Sequence, residues 1–302
     1  MIAGFALTVV VMGLQLATLA FLAPFLTDLE AMVDAFCSGR AGPLPGWRWR
    51  QIRMGWHQRA NIPPLSWMSL CATILPAFGI PLASTLSLFR FLSEPLACGV
   101  CLIFSCALVW AQALNDAPTR LLQLHLTDSL SHVGRDLLFL VPLLALTGTL
   151  ITVGLPGAGA LSDLLQQRLL QPAPALLGGL VFIAVALLLI LNRRFLCQSW
   201  QERLIAGATG RHRSLLRFRH DFSAICWYLL VADLIWPDSV ATASASIRHL
   251  LVLWCLAAPL KLACLVAVVT GWRGIRPLPS ARLALVLSGA AILLVLAGRL
   301  AT

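Results

Sequence analysis

Long apolar runs separated by short, arginine-rich polar segments dominate the pattern along the chain. A hydrocarbon core about 30 Å thick is crossed by roughly 20 apolar residues in a helix, and eight stretches reach or approach that length. No segment alternates between apolar and polar residues as a half-buried strand does. The pattern predicts an all-α polytopic integral membrane protein of about eight transmembrane helices, forming one domain over residues 1–302. The stretches are 2–27, 64–88, 95–114, 136–155, 174–192, 222–237, 249–271 and 281–299.

The composition excludes a soluble globular protein. Hydrophobic residues make up 59% of the chain and charged residues 11%, whereas soluble domains carry roughly 25% charged residues. The mean hydropathy is +0.88. The first apolar run lacks the basic start of a secretory signal and exceeds its usual apolar core. We therefore expect residues 2–27 to be a retained membrane helix.

The net charge of +10 reflects membrane topology rather than nucleic-acid binding. Seventeen of the 22 basic residues fall in alternate connections, and four arginines fall on the opposite side. Cytoplasmic loops hold the excess of Lys and Arg in membrane proteins. The distribution places both termini on the periplasmic side of a cytoplasmic membrane and supports an even number of spans. The cytoplasmic connections are 37–63, 115–135, 193–221 and 272–282.

Two of the cytoplasmic loops carry amphipathic patterns. In Trp47–Arg59, the residues Trp49, Ile52 and Trp56 recur at helical spacing with arginines between them. This pattern is typical of a short helix lying at the membrane interface. The loop 193–221 mixes apolar residues with seven arginines. Both loops have two interpretations, lipid anchoring with topology or a docking surface for a cytoplasmic partner.

Few residues in the chain could carry chemistry. Asp233 and Lys261 fall within apolar stretches, where ionisable groups are costly, and they either form a buried ion pair or extend to an interface. On the cytoplasmic side, Asp136 opens the fourth helix, Glu202 is the acid among the arginines of 193–219, and Asp128 lies in the preceding connection. We find no catalytic motif and no convincing metal-ligand spacing. The sequence predicts neither catalytic residues nor a metal site.

Several loop segments resemble one membrane family. Ser38-Gly39-Arg40-Ala41-Gly42-Pro43 resembles its G-R-R-G-P segment after the first helix, and Val133-Gly134-Arg135-Asp136 falls where it has A-S-R-E. Gln201-Glu202-Arg203-Leu204 through Ala208-Thr209-Gly210-Arg211 resembles its stretch H-E-A-M-x-x-E-Y-S-G-R without a gap. The family comprises subunit 4 of formate hydrogenlyase, its hydrogenase-4 counterpart and the related H subunit (subunit 1) of NADH–quinone oxidoreductase. Motif order and helix count match along the whole chain.

The resemblance implies a non-catalytic membrane-anchor subunit in a bacterial cytoplasmic (inner) membrane. Its partners would be hydrogenase-like or dehydrogenase-like peripheral subunits and antiporter-like membrane subunits, besides the lipid bilayer. Iron–sulfur and nickel–iron centres would belong to those partners, and this chain would hold no cofactor. Arg40, Gly42 and Pro43 would shape the docking loop. The polar cluster along a proton path would comprise Glu202, Arg135, Asp136, Arg211 and Asp128.

The sequence also departs from the family. Most carboxylates of the family's cytoplasmic loops are missing, with Leu196 and Gly207 at two glutamate positions and Gln201 in place of a histidine. A proton relay needs titratable groups within hydrogen-bond reach, so the resemblance does not carry proton pumping or quinone binding to this chain. A stand-alone transporter or permease is the alternative function, and a membrane enzyme acting on lipid is a third possibility.

Overall fold

The computed structural model describes residues 2–85, 90–116, 134, 136–152, 160–170, 174–196, 199–241, 245–275 and 281–300. Over these ranges the chain is helical, without strands, which confirms the predicted all-α class. The α-helices are α1 (Ile2–Cys37), α2 (Trp47–His57), α3 (Pro64–Ile74), α4 (Pro95–Asn115), α5 (Leu140–Thr152), α6 (Leu161–Leu170), α7 (Pro174–Leu196), α8 (Ser199–Gly207), α9 (Gly210–Ile235), α10 (Ile247–Val252), α11 (Ala258–Ile275) and α12 (Ala281–Leu300).

Helix α9 lies at the centre of the bundle and packs against α1, α2, α3, α7 and α11. Its second half is buried on every side, including Trp227, whose indole stacks on the Phe139 ring at a centroid distance of 4.3 Å. Helices α7 and α12 form the most extensive pair outside this centre. Gly178 and Gly179 let the side chains of Leu294 and Val295 approach the α7 backbone closely, as small residues do between membrane helices.

Three helical segments in the described part of the chain are long and apolar enough to cross a membrane: Ala6–Cys37, Pro95–Asn115 and Ile247–Trp272. Four shorter apolar helices accompany them, at Pro64–Phe78, Leu137–Leu150, Leu176–Leu191 and Arg282–Gly298. The chain is therefore a helical membrane protein. The sequence-based figure of eight spans exceeds these three. The sixth predicted stretch, 222–237, is the one that matches none of these seven segments, and it falls largely in the central helix α9.

The stretch 64–88 is not the single helix that its hydropathy predicts. Helix α3 ends at Ile74, a 3₁₀ turn covers Leu75–Phe78, and residues 79–85 are irregular. Pro76 and Pro81 lack the amide hydrogens that a helix needs. Gly79 lets the Leu92 backbone approach closely, because a Cβ atom at residue 79 would lie 1.8 Å from the Leu92 carbonyl oxygen.

The irregular segment 79–85 is mostly buried, and several carbonyls in and before it accept hydrogen bonds from other parts of the chain. The Gln15 amide donates to the carbonyls of Ala77 (3.2 Å) and Ile80 (2.7 Å). An isolated parallel bridge joins Ser84 to Ala241 beyond the end of α9. Because lipid offers no hydrogen bonds, irregular backbone at membrane depth must be enclosed by protein in this way.

Several helix boundaries differ from the predicted ones. Helix α1 continues to Cys37, ten residues past the predicted end, because no glycine or proline interrupts it between Pro24 and Gly39. Helix α9 begins at Gly210 rather than at residue 222, so its first turns are polar. Leu253–Ala257 form a π-turn before α11, next to Pro259, which supplies no amide hydrogen to the turn before it. The short helix α6 was not predicted.

Candidate functional site

Helix α2 is fixed across the bundle by an ion pair with α9. The Arg48 guanidinium donates from Nε to Asp221 Oδ2 and from Nη2 to Asp221 Oδ1, both at 2.9 Å. The Asp221 side chain is fully buried, and that of Arg48 is 19% exposed. Two parallel hydrogen bonds between these planar groups restrict their relative orientation. The pair therefore sets both the position and the angle of α2 on α9.

A second carboxylate, from α1, caps the N-terminus of α2. Asp28 accepts from the Arg48 backbone amide at 3.0 and 3.3 Å through its two oxygens, and the amides of Gly46 and Trp47 also point at it. Gly46 has φ +78° and makes the turn into the helix. The first amides of a helix lack intrahelical acceptors and favour a negative charge nearby. Asp28, which lies on α1, supplies both the hydrogen-bond acceptor and the negative charge.

The other end of α2 meets the start of α9 through two glycines. A Cβ atom at Gly55 would lie 2.2 Å from Ser214 Oγ, and one at Gly210 would lie 3.0 Å from the Gln58 carbonyl oxygen. Gly210 also has φ +50°, a conformation that other residues rarely adopt. The neighbouring Arg211 donates from Nε to the Trp56 carbonyl at 3.0 Å. These contacts close the α2–α9 interface.

The amphipathic pattern of 47–59 is confirmed as an α-helix, with one difference in its buried face. Ile52 is buried, and Trp49 is half-buried with its indole N–H donating to the Phe21 carbonyl at 3.1 Å. Trp56 stays 43% exposed. Five arginines on α2, on the segments flanking it and at the start of α9 are exposed, and we name them together the basic face. They are Arg40, Arg50, Arg53, Arg59 and Arg211.

The predicted docking loop contributes Arg40 to the basic face. Arg40 is exposed and its amide donates to the Ala35 carbonyl at 2.8 Å, ending α1. Gly42 lies against α1, where a Cβ atom would be 3.3 Å from Met32 Cα. Pro43 is half-buried. The loop is thus packed on α1 with its arginine facing outward.

The predicted polar cluster is described only in part. Asp128 and Arg135 lie outside the described residues, and for Glu202 the structure describes the backbone within α8 but not the side chain. Asp136 is 5% exposed and precedes the 3₁₀ turn Leu137–Phe139. Arg211 donates from Nε to the Trp56 carbonyl of α2. The structure therefore places Arg211 at α2, and the polar cluster stays a prediction.

His212, next to Arg211, links α9 to α3. One of its ring nitrogens, Nε2, lies 2.8 Å from Ser66 Oγ. Burial lowers the pKa of the His212 imidazole below its ordinary value, and the Asp116 carboxylate opposes this shift only in part. A neutral imidazole therefore prevails at pH 7 and hydrogen-bonds the hydroxyl.

Asp233 and Lys261 form a buried ion pair at membrane depth, the first of the two alternatives that the sequence left open. Lys261 Nζ lies 2.6 Å from Asp233 Oδ1, and it also donates to the Leu82 carbonyl and to Ser239 Oγ, both at 3.0 Å. An ammonium has three N–H donors, so all three are used. The pair thereby ties α9 and α11 to the irregular segment 79–85.

Sequence reasoning missed the two aspartates that hold α2. Asp28 falls at the end of a predicted membrane helix, and Asp221 directly precedes another. A carboxylate at either position can stay solvated at the membrane interface, so its position alone does not predict a buried contact. The arginine excess in 37–63 was the available signal, since buried carboxylates are normally paired. Across the described side chains, no cluster of three or more metal-ligating residues occurs.

The arrangement defines a polytopic helical membrane protein whose central helix carries an amphipathic helix on one end. No protein-family model and no curated protein matches the sequence. A solved structure does match: a chain of the membrane-bound sulfane sulfur reductase, an archaeal respiratory membrane complex. The TM-score is 0.64, the match covers 97% of this chain and 98% of that chain, and the identity is 16%. At this identity the likeness shows the fold.

Proposed function

We propose that the chain is the membrane-anchor subunit of a redox complex of the hydrogenase-4 or formate-hydrogenlyase type. It spans a bacterial cytoplasmic membrane about eight times, with both termini in the periplasm. Two independent lines support this: the collinear motifs in its loops, and a fold shared over nearly the full length with a chain of a respiratory membrane complex. The partners hold the iron–sulfur and nickel–iron centres.

The observation that carries the proposal is the basic face on an immobilised α2. An amphipathic helix that only anchors in lipid needs no rigid attachment to the bundle, since apolar burial and headgroup attraction hold it. Here the bidentate pair with Asp221, the cap from Asp28 and the close contact at Gly55 fix the helix from both ends. Such rigidity matches a preformed docking surface, because preorganised surfaces lose less conformational entropy on binding.

The charge of this surface indicates the chemistry of the partner. Exposed arginines steer and orient an acidic surface, and complementary charge raises the rate of association. We therefore propose that the basic face docks a peripheral electron-transfer subunit through an acidic patch. Antiporter-like membrane subunits beside the bundle would couple electron transfer to ion movement.

The test is a gentle-detergent pull-down of the tagged chain from its native membrane, followed by mass spectrometry. We expect hydrogenase-like and antiporter-like subunits with the wild type. Arg50→Glu with Arg53→Glu should remove the peripheral subunits while the antiporter-like ones remain. Arg248→Glu, an exposed arginine on the predicted periplasmic side, is the matched control. The docking role would be refuted if the Arg248→Glu chain also lost all partners. It would equally be refuted if the wild-type chain purified without any partner.

A substitution of Glu202 tests whether this residue contributes to turnover of the complex. Glu202→Gln keeps the size and hydrogen-bonding capacity of the side chain but removes its charge. We expect the complex to assemble normally with reduced turnover. Unchanged turnover would assign Glu202 a structural role only.

A stand-alone transporter is the second candidate, and the interrupted helices beside the Lys261–Asp233 pair favour it. Transporter sites combine interrupted helices with polar groups near the midplane, and the segment 79–85 and the π-turn Leu253–Ala257 are interruptions of that kind. All three Lys261 donors are occupied within the chain, which favours a structural pair. A well-folded chain that purifies without partners and moves a solute in vesicles would favour transport.

A further inference from the structure

Arg219 on α9 is buried among neutral groups. It is 1% exposed, and its Nη1 donates to Ser105 Oγ at 3.1 Å and to Cys106 Sγ at 3.4 Å on α4. None of the described carboxylates lies within ion-pair distance of its guanidinium. A guanidinium remains charged in proteins, and a buried charge without a counter-charge costs several kcal/mol. Among the described side chains, the guanidinium therefore has no negative partner.

The hydroxyls around Arg219 cannot supply that partner. Ser69 donates to the Ser105 carbonyl at 2.9 Å, and Thr73 donates to the Ser69 carbonyl at 2.8 Å. Ser105 Oγ accepts from Arg219 and also contacts the hydroxyls of Ser69 and Thr73. These groups form a closed network of neutral dipoles. They orient the guanidinium without balancing its charge.

Three donors on one stripe of α9 have no hydrogen-bond partner in the described part of the chain. They are Arg219 Nε, Ser223 Oγ and Trp227 Nε1, and their residues are 1%, 2% and 0% exposed. Spacings of four place all three residues along one side of the helix. Helix α4 runs antiparallel beside them, with Ser105 near Arg219 and Gly99 near Trp227. Buried donors normally have acceptors.

We propose that the interior of the bundle binds a small inorganic anion, such as chloride, at Arg219 Nε and Ser223 Oγ beside α4. An anion accepts from both donors and supplies the missing charge, whereas water would satisfy the hydrogen bonds only. A cation is excluded, since it would meet a guanidinium and N–H and O–H donors. The site is separate from the basic face and does not depend on the docking role.

The experiment uses the full chain purified in detergent, with chloride titrated against gluconate at constant ionic strength and sodium. Thermal unfolding is followed by tryptophan fluorescence. A ligand bound only by the folded state raises the unfolding temperature with its concentration. We expect a chloride-dependent rise of a few degrees in the wild type. Arg211→Gln, which removes an exposed arginine from the same helix, is the matched control and should keep the full rise.

Two variants test the assigned donors. Arg219→Gln should abolish the chloride dependence. Ser223→Ala removes one donor without a charge and endangers the fold little, and it should raise the half-saturating chloride concentration several-fold. Bromide should give one anomalous peak beside Arg219 Nε in crystals of the wild type. A chloride-independent unfolding temperature, or a rise that Ser223→Ala and Arg219→Gln leave intact, would overturn the site and leave water as the acceptor.

Discussion

Replacing Arg48 by methionine leaves the fully buried Asp221 carboxylate without its cation. Breaking a buried ion pair from one side costs about 3–5 kcal/mol. Because the Arg48 side chain is 19% exposed, we expect the lower end, about 3 kcal/mol. The loss falls on the attachment of α2 rather than on the bundle, so it lowers the free energy of local opening. Each 1.4 kcal/mol is a factor of ten, which makes the open form of α2 about 100-fold more populated.

Limited trypsin digestion measures that opening, since Arg50 lies within α2 and cleavage after it requires local unfolding of the helix. When opening is faster than cleavage, the cleavage rate follows the population of the open form. Arg48→Met should therefore accelerate cleavage after Arg50 about 100-fold. Arg53→Met, which removes an exposed arginine from the same helix, should change the rate by less than about threefold.

The double variant Arg48→Met with Asp221→Leu separates the ion pair from other effects. Replacing both members of a buried pair by apolar residues is often nearly neutral, so the double variant should recover most of the resistance. A double variant as labile as the sum of both single changes would contradict a direct interaction between the two side chains. Wild-type cleavage rates in Arg48→Met would equally show that the pair does not hold α2.

Three other predictions concern the bundle itself. Gly79→Ala forces a Cβ atom against backbone and should destabilise the fold by about 3 kcal/mol, whereas Gly13→Ala, with open space around it, should be near neutral in the same thermal unfolding assay. Because the pKa of His212 is lowered in the folded state, stability is full at pH values above the ordinary imidazole pKa of about 6.5 and falls on acidification toward the lowered pKa. His212→Gln should flatten the decline of the unfolding temperature between about pH 7.5 and 5.5. An unchanged slope would contradict the assignment. Lys261→Met should cost about 3 kcal/mol, and Asp233→Leu in the same chain should restore most of it, as a melt of both variants will show.

Hydropathy and amphipathic spacing correctly predicted those helices whose ends are set by nearby residues. The stretch 95–114 matches α4 within a residue, and the amphipathic spacing in 47–59 matches α2. Both depend on patterns within a few turns of chain. The stretch 64–88 failed because hydropathy counts apolar residues and does not weigh the backbone demands of Pro76, Gly79 and Pro81.

The contacts of the site were less predictable than its elements. Arg48 and Asp221 are separated by 173 residues, so no local pattern links them. Gly210 and Arg211 are adjacent in the sequence, yet only the structure shows that both contact α2. Arg219 was counted with the loop arginines, because helix α9 begins twelve residues earlier than the apolar run suggests. Its burial follows from packing and not from composition.

The enclosed segment 79–85 constrains the order in which the chain assembles. Gln15 is already synthesised when Ile80 enters the membrane, but the Leu82 carbonyl waits for Lys261, 179 residues later. At about 5–20 residues per second, this interval lasts roughly 10 to 40 s on the ribosome. During this interval the Leu82 carbonyl is without its final hydrogen-bond donor. Nascent chains that end before residue 261 should therefore stay bound to the insertion machinery, and release should coincide with synthesis of α11.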